Sequence, residues 1–285
     1  MKTLLVVSNE DGFIVTIQRK IEKALDELQI EWKTCFLEDT YEVSKQFQPA
    51  MTLFFHPNHK IYKYKDEIKD LKGHKLMWSM EDPYESDITF DMADYIYYIF
   101  TSDEGTAEAL KKERGSKNKI FYVPHACDPD IHKAMEVDYD HKSDVLFIGN
   151  AYDSRIKYFQ EHAEKYKHLM VTIIGVGWRG MYGYENQRIM HTHVSEPELV
   201  KYYNGAKTIL NLHRQNSDLD MANSRKLAPV SYNNRFYEIA SCGKEQLVVG
   251  RGKDFTFNPY TDDFDAQSNS YTKRLSEFYT PILKG

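Results

Sequence analysis

The sequence predicts an α/β protein made of two doubly wound, Rossmann-like halves that face each other across a cleft. Three observations carry that expectation. Short apolar runs alternate with amphipathic stretches, the pattern of parallel βαβ units. The alternation stops in a charged stretch, residues 128–142, and then starts again. A chain of 285 residues also suits two domains of roughly 100–200 residues each. The boundary falls in the charged stretch, giving domains 1–130 and 131–285, with a tail that can pack back on the first. One large continuous sheet is the rival arrangement.

The elements follow in order. Residues 4–7 form an apolar strand, closed by the polar turn Ser8-Asn9-Glu10-Asp11-Gly12. Ile14, Ile17, Ile21, Leu25 and Leu28 then recur at helical spacing. Further strands are expected at 30–36, 51–55, 75–80, 95–100 and 119–123, with a charged helix at 60–71 and another capped by Ser102 or Asp103. After the linker, strands are expected at 144–148, 170–174, 208–212 and 246–249. Helices are expected at 154–166, 196–203 and 234–241, and a last one near 272–283. Residues 176–193 and 215–231 read as loops, and 254–270 as a polar tail.

Composition narrows the function. A net charge of −6 argues against a chain that binds nucleic acid over its whole surface. Lys63, Lys65, Lys69 and Lys72 are interleaved with acidic residues, which suits a solvated helix face better than a nucleic-acid stripe. The three cysteines, Cys35, Cys127 and Cys242, lie too far apart for a zinc ribbon or redox motif and fit a reducing compartment. Cys242 reads as a small buried filler rather than a nucleophile. Residues 1–7 are too short for a signal-peptide core, and no stretch nears the ~20 apolar residues of a membrane span, so a cytoplasmic protein is expected. The 21 tyrosines suit clefts that hold sugars or bases, and equally an ordinary core.

In open α/β sheets, ligands sit beyond the carboxyl ends of the strands. Three such ends stand out: Gly149-Asn150, Gly175-Val176-Gly177-Trp178, and Asn211-Leu212-His213-Arg214. Glycine there lets a ligand approach the backbone. Arg155, at the start of the following helix, suits a diphosphate; the plainer alternative is a βα turn with a surface arginine. On the helix beginning at Asn234, Arg235 and Glu238 are three residues apart. They are either a phosphate and ribose pair or a surface ion pair. Glu81 and Asp82 follow a strand and precede Pro83. A carboxylate there serves either as general base or as a turn cap. His125 is a catalytic or a hinge histidine. His56 and His59 are weak acceptor-side candidates, and His191 and His193 lack the company of a zinc site. Asp218-Leu219-Asp220 has the letters of a metal motif but lies in a polar loop.

Several segments together resemble the CgeB-like (spore maturation protein) family of glycosyltransferases. They are Trp78-Ser79-Met80-Glu81-Asp82-Pro83-Tyr84, Tyr122-Val123-Pro124-His125-Ala126-Cys127-Asp128, Ser143-Asp144-Val145-Leu146-Phe147-Ile148-Gly149-Asn150, Ile209-Leu210-Asn211-Leu212-His213-Arg214, and Asn234-Arg235-Phe236-Tyr237-Glu238-Ile239-Ala240-Ser241-Cys242-Gly243. The resemblance implies the GT-B architecture, with donor in the C-terminal domain and acceptor in the N-terminal one. It implies that Glu238 holds the donor ribose and that Arg235 and Arg155 lie near the phosphates. It further implies a nucleotide-sugar donor, a UDP-sugar first, with no metal and no prosthetic group. The sugar acceptor is an unidentified hydroxyl: glycan, protein, metabolite or modified DNA base. The sequence departs from the pattern at Val230, where such enzymes often carry an acid eight positions before the ribose glutamate. The alternatives are a nucleotide-sugar epimerase of the same architecture and a degenerate protein that binds the nucleotide sugar without turning it over.

Overall fold

The computed structural model describes residues 2–8, 13–178, 186–215, 217–218 and 222–284. The chain divides into two compact units. One comprises Met1–His125, Met221–Ser231 and Tyr271–Gly285; the other comprises Ala126–Asp220 and Tyr232–Ser270. Each has its own six-stranded sheet, so the single continuous sheet is excluded.

The first unit runs β1 (Lys2–Val7), α1 (Phe13–Glu27), β2 (Glu31–Phe36), α2 (Thr40–Phe47), β3 (Met51–Phe55), α3 (Lys65–Asp70), β4 (His74–Ser79), α4 (Ser86–Met92), β5 (Tyr98–Thr101), α5 (Glu104–Arg114) and β6 (Lys119–Tyr122). Its strands are all parallel, in the order β2-β1-β3-β4-β5-β6. Strands covered on both faces must be apolar throughout. Accordingly, all five residues of β3 and all four of β5 are buried. The Asp103 side chain starts α5 by accepting from Thr106 N–H at 2.9 Å through Oδ1. Its Oδ2 accepts from the N–H groups of Val230 and Ser231, which fastens segment Met221–Ser231 to this unit.

The second unit runs β7 (Ser143–Ile148), α6 (Asp153–Glu161), α7 (Ala163–Tyr166), β8 (Met170–Ile174), β9 (Asn186–Met190), α8 (Glu196–Gly205), β10 (Ala206–Leu212), α9 (Asn234–Ser241), β11 (Gln246–Val249) and β12 (Phe255–Phe257). The order is β12-β11-β10-β7-β8-β9, parallel except for antiparallel β12. The last helix, α10 (Tyr271–Lys284), belongs to the first unit. Its Leu275, Phe278, Tyr279 and Ile282 are buried at helical spacing. Phe278 stacks on Phe100 at 4.0 Å and meets the edge of Trp78 at 4.4 Å.

Several expectations are corrected. Residues 176–193, read as a loop, contain β9, and the polar tail contains β12. Both are edge strands, specified by the neighbour that supplies their ladder rather than by their own apolar content. The expected helix at 60–71 is a 3₁₀ stretch, His59–Tyr64, followed by α3. The expected helix at 154–166 breaks at His162, where the ring Nδ1 bonds back to the Tyr158 carbonyl at 2.8 Å. Helices α2 and α4 had no counterpart in the sequence reading. The charged stretch 128–142 carries fully buried His132 and nearly buried Asp128 and His141, so it is packed chain rather than plain linker. Among the described residues, no helix is long and apolar enough to cross a membrane.

Candidate functional site

In the second unit the chain leaves β7 toward β8 on one side, then returns to build β10 on the other. Between the carboxyl ends of β7 and β10 lies the topological switch point, where doubly wound sheets hold ligands. Arg235, from the first turn of α9, spans this point. Its Nη1 donates to the Ile148 carbonyl at the end of β7, and its Nη2 donates to the Leu212 carbonyl at the end of β10, at 3.1 Å. A guanidinium has a rigid fork of five donors, so two anchors fix its plane without removing its charge.

Arg155 joins it. It is 5% exposed, so the surface-arginine alternative fails. Its Nη1 donates to the Asn150 carbonyl at 2.9 Å. The Arg155 and Arg235 guanidiniums lie over the same Phe147 ring, at 5.4 and 5.5 Å. Arg155 and Arg214 likewise share the Tyr152 ring, at 4.6 and 5.5 Å. Gly149 is demanded by this convergence, since a Cβ there would collide with Arg235 Nη1 and meet Arg155 Nη1 at 3.1 Å. A Cβ at Gly175 would overlap the Gly149 carbonyl. The Asn150 side chain accepts from Val176 N–H at 3.4 Å. So Gly149, Asn150, Arg155, Gly175, Arg214 and Arg235 gather at one sheet edge, with concentrated positive charge.

Two other expected ligand contacts, Asn211 and His213, are buried against protein partners. Asn211 is fully buried: its amide donates to Gln246 Oε1 at 2.8 Å and accepts from Asn233 Nδ2 at 2.9 Å. His213 is 2% exposed, and its Nε2 accepts from Asn233 N–H at 3.2 Å. Burial, then Arg251 and Arg235, hold its pKa well below the ordinary range, so the ring is neutral. Asn233 in turn caps α9 by accepting from Phe236 N–H. This amide ladder aims the first turn of α9 at the switch point.

Glu238 lies one turn further along α9 and is 3% exposed. It is not a surface ion-pair partner. Its Oε1 accepts from Asn234 Nδ2 at 2.8 Å, and its Oε2 from Tyr203 Oη at 3.3 Å. Burial, then the carboxylate itself, push the Tyr203 phenol well above its ordinary pKa and keep it a donor. His132 Nε2 stands 3.9 Å from Oε1. Nothing in the local sequence marks His132, Tyr203, Tyr152 or Gln246 as neighbours of the site. Only the fold brings these distant residues to one place.

The expected residues of the first unit form a separate set. Asp82 is 6% exposed and accepts from Thr101 Oγ1 at 2.6 Å and from Thr89 Oγ1 at 3.0 Å. Burial raises its pKa to about 7. Glu81 beside it is half-buried. His125 is 9% exposed, and its Nδ1 has no hydrogen-bond partner. Burial, then His56 and Arg274, bring its pKa down to about 4; burial does the same to His56. Both rings are therefore neutral at pH 7. In the turn Ser8–Gly12, only Ser8 is among the described residues. Lys65 sits over Tyr62 and Tyr95, and Lys69 over Tyr95. His191 and His193 are exposed.

Among the described residues, one group has donor atoms close enough for a metal. His132, Glu196 and Glu238 place ligand atoms within 4.8 Å of one another. The metal-like letters at 218–220 behave differently. Asp218 accepts from the N–H and Oγ of Ser154, a cap on α6, while Leu219 and Asp220 lie outside the described residues. Cys242 is 1% exposed, and burial followed by Glu238 drives its thiol pKa up, which agrees with a filler.

Residues 155–277 match the family model described as Glycosyl transferase-like. The chain is 26% identical over 260 residues to the spore protein CgeB of Bacillus subtilis (strain 168), covering 87% of this chain and 79% of that protein. Among solved structures, an α-glucosyltransferase in complex with UDP and a 13-mer DNA containing a central A:G mismatch is similar with a TM-score of 0.60. Its identity is 10%, covering 97% of this chain and 90% of that one. A Listeria monocytogenes structure assigned as a UDP-N-acetylglucosamine 2-epimerase gives a TM-score of 0.50 at 6% identity, covering 74% of this chain and 73% of that one. Two Rossmann-like sheets and these likenesses show a GT-B-like fold, and in sequence the chain is similar to a glycosyltransferase-like family and to CgeB.

Proposed function

We propose that the second unit binds a UDP-sugar and that the protein transfers the sugar to a hydroxyl acceptor. The observation that carries this reading is the pairing on α9: Arg235 spans the switch point, and Glu238 follows one turn later. In this reading Arg235 and Arg155 meet the diphosphate, aided by the backbone amides where α6 begins. Their charge stabilises the leaving nucleoside diphosphate as the sugar–oxygen bond breaks, so the reaction needs no metal. Glu238 accepts from the two ribose hydroxyls. Asn211 and His213 hold α9 in place from behind. Glu81 and Asp82 are the candidate bases for the acceptor hydroxyl, the Asp82 oxygens accepting from the buried Thr89 and Thr101 hydroxyls. His125, neutral at pH 7, acts as a polar contact rather than a proton carrier.

Transfer is preferred over epimerisation because the family match is to a glycosyltransferase model and the curated relative is CgeB. The epimerase likeness keeps the second reading testable. Calorimetry with UDP and a panel of UDP-sugars tests the first step. Glu238→Ala removes two charge-assisted hydrogen bonds and is expected to weaken UDP by roughly 2–4 kcal/mol without unfolding the protein. Unchanged affinity would remove the ribose assignment. Incubating each bound donor alone then separates the chemistries, since an epimerase alters the sugar without any acceptor.

A further inference from the structure

His132 is 0% exposed and sits in the charged stretch that precedes β7. The Asp128 backbone N–H donates to its Nδ1 at 3.0 Å. An imidazole nitrogen that accepts a hydrogen bond carries no proton, so the proton of this ring is on Nε2. That Nε2 makes no hydrogen bond, and lies between two carboxylates, with Glu196 Oε1 at 3.3 Å and Glu238 Oε1 at 3.9 Å. The spacing suits a cation, but the tautomer opposes one. A metal on Nε2 would take that lone pair and drive the proton to Nδ1, against the Asp128 N–H.

Without that proton, two carboxylates within 4.8 Å of each other would lose the N–H dipole that lies between them. Glu238 is buried and Glu196 only partly exposed, so like charges this close repel and push the Glu238 carboxylate toward a new orientation or toward protonation. The His132 backbone is itself tied to the end of α9, because Ser241 Oγ donates to its carbonyl at 2.5 Å. Tyr203 and Asn234 hold Glu238 on its other sides.

We infer that His132 is a positioning residue for the donor site: the dipole of its Nε2–H, lying between Glu196 and Glu238, offsets their repulsion and lets Asn234 and Tyr203 keep the Glu238 carboxylate in the orientation that reads the ribose hydroxyls. The inference rests on the ribose role proposed for Glu238. It does not make His132 a ligand of the nucleotide.

The test measures the affinity of the full chain for UDP and for 2′,3′-dideoxy-UDP, and takes the ratio as the readout. Wild type is expected to prefer UDP by at least about tenfold. In His132→Asn the amide oxygen reproduces the Nδ1 acceptor, while nothing remains at the Nε2 position. The ratio should fall at least about fivefold, toward that of Glu238→Gln. His132→Gln puts an amide N–H near Nε2 and should restore most of the preference. Adding Glu196→Gln to His132→Asn removes the repulsion and should also restore it. A merely structural role predicts otherwise: His132→Asn weakens both nucleotides equally, the ratio holds, and Glu196→Gln rescues nothing. That pattern overturns the inference. If wild type itself fails to discriminate, the ribose assignment is wrong and the inference falls with it. A rise in melting temperature with Mn²⁺ that is lost in His132→Asn would also overturn it, in favour of a cation site.

Discussion

Replacing Asp82 with Asn should flatten part of the pH dependence of stability in the first unit. In the folded chain the Asp82 carboxyl is buried, and desolvation raises its pKa from the ordinary 3.8 to about 7. The two threonine hydroxyls lower it and only partly offset burial; Asp103 and Glu85 raise it further. The folded state therefore keeps a proton that the unfolded state has already lost. Below pH 3.8 both states are protonated and stability is at its full value. As pH rises from about 4 to about 7, the unfolded chain ionises while the folded one resists, and stability falls. The rise from 3.8 to about 7, at about 1.4 kcal/mol for each pH unit, amounts to about 4 kcal/mol. Asn is neutral at every pH and nearly isosteric, and the Thr89 and Thr101 hydroxyls can turn to suit its amide. Urea unfolding followed by fluorescence, on wild type and Asp82→Asn from pH 4 to pH 8, measures the effect. The difference in unfolding free energy should move toward the variant by up to about 4 kcal/mol over that range. Parallel pH profiles would show that the carboxyl is ionised in the folded protein and that the burial argument is wrong.

Other outcomes are expected from the same geometry. Gly175→Ala forces a methyl onto the Gly149 carbonyl, a backbone atom that cannot turn aside, and should cost roughly 3 kcal/mol in thermal or chemical unfolding. The three cysteines are buried, and burial raises the Cys35 and Cys127 pKa values to about 11 and about 12. A thiol reagent at pH 8 should find no fast-reacting group in the native chain and all three after unfolding. Once an acceptor is found, transfer should persist in EDTA, because Arg155 and Arg235 supply the charge for the leaving group. Loss of activity in EDTA and its recovery with a divalent ion would refute that assignment.

The strands were readable wherever both faces of the sheet are covered. Residues 51–55 and 170–174 were placed to the residue, because a strand buried on both sides leaves a continuous apolar run in the sequence, and 246–249 matched as well although only alternate residues there are buried. The helix over 234–241 was equally clear, since Phe236, Ile239 and Ala240 mark its apolar face. Strands β9 and β12 left no such trace. Edge strands are half exposed, and their ladder bonds come from a neighbour whose position only the fold supplies. Helices α2 and α4 are too short for periodicity to stand out from noise.

The candidate site divides in the same way. Gly149, Arg155, Arg235 and Glu238 stood out as candidates by their types and their places at strand and helix ends, with phosphate and ribose roles implied by the resemblance to the CgeB-like family. Local sequence could not say that Arg155 is buried, that Asn211 and His213 support α9 from behind, or that His132 stands beside Glu238 from across more than a hundred residues. Residue chemistry and short-range periodicity are written along the chain, and they determined the fold class and the candidate residues. Which partner each polar group satisfies depends on which segments the sheet order brings together. Burying a polar group is tolerable only with a partner at hand, so only the tertiary structure decided which of those residues gather at the switch point and which are held by protein partners.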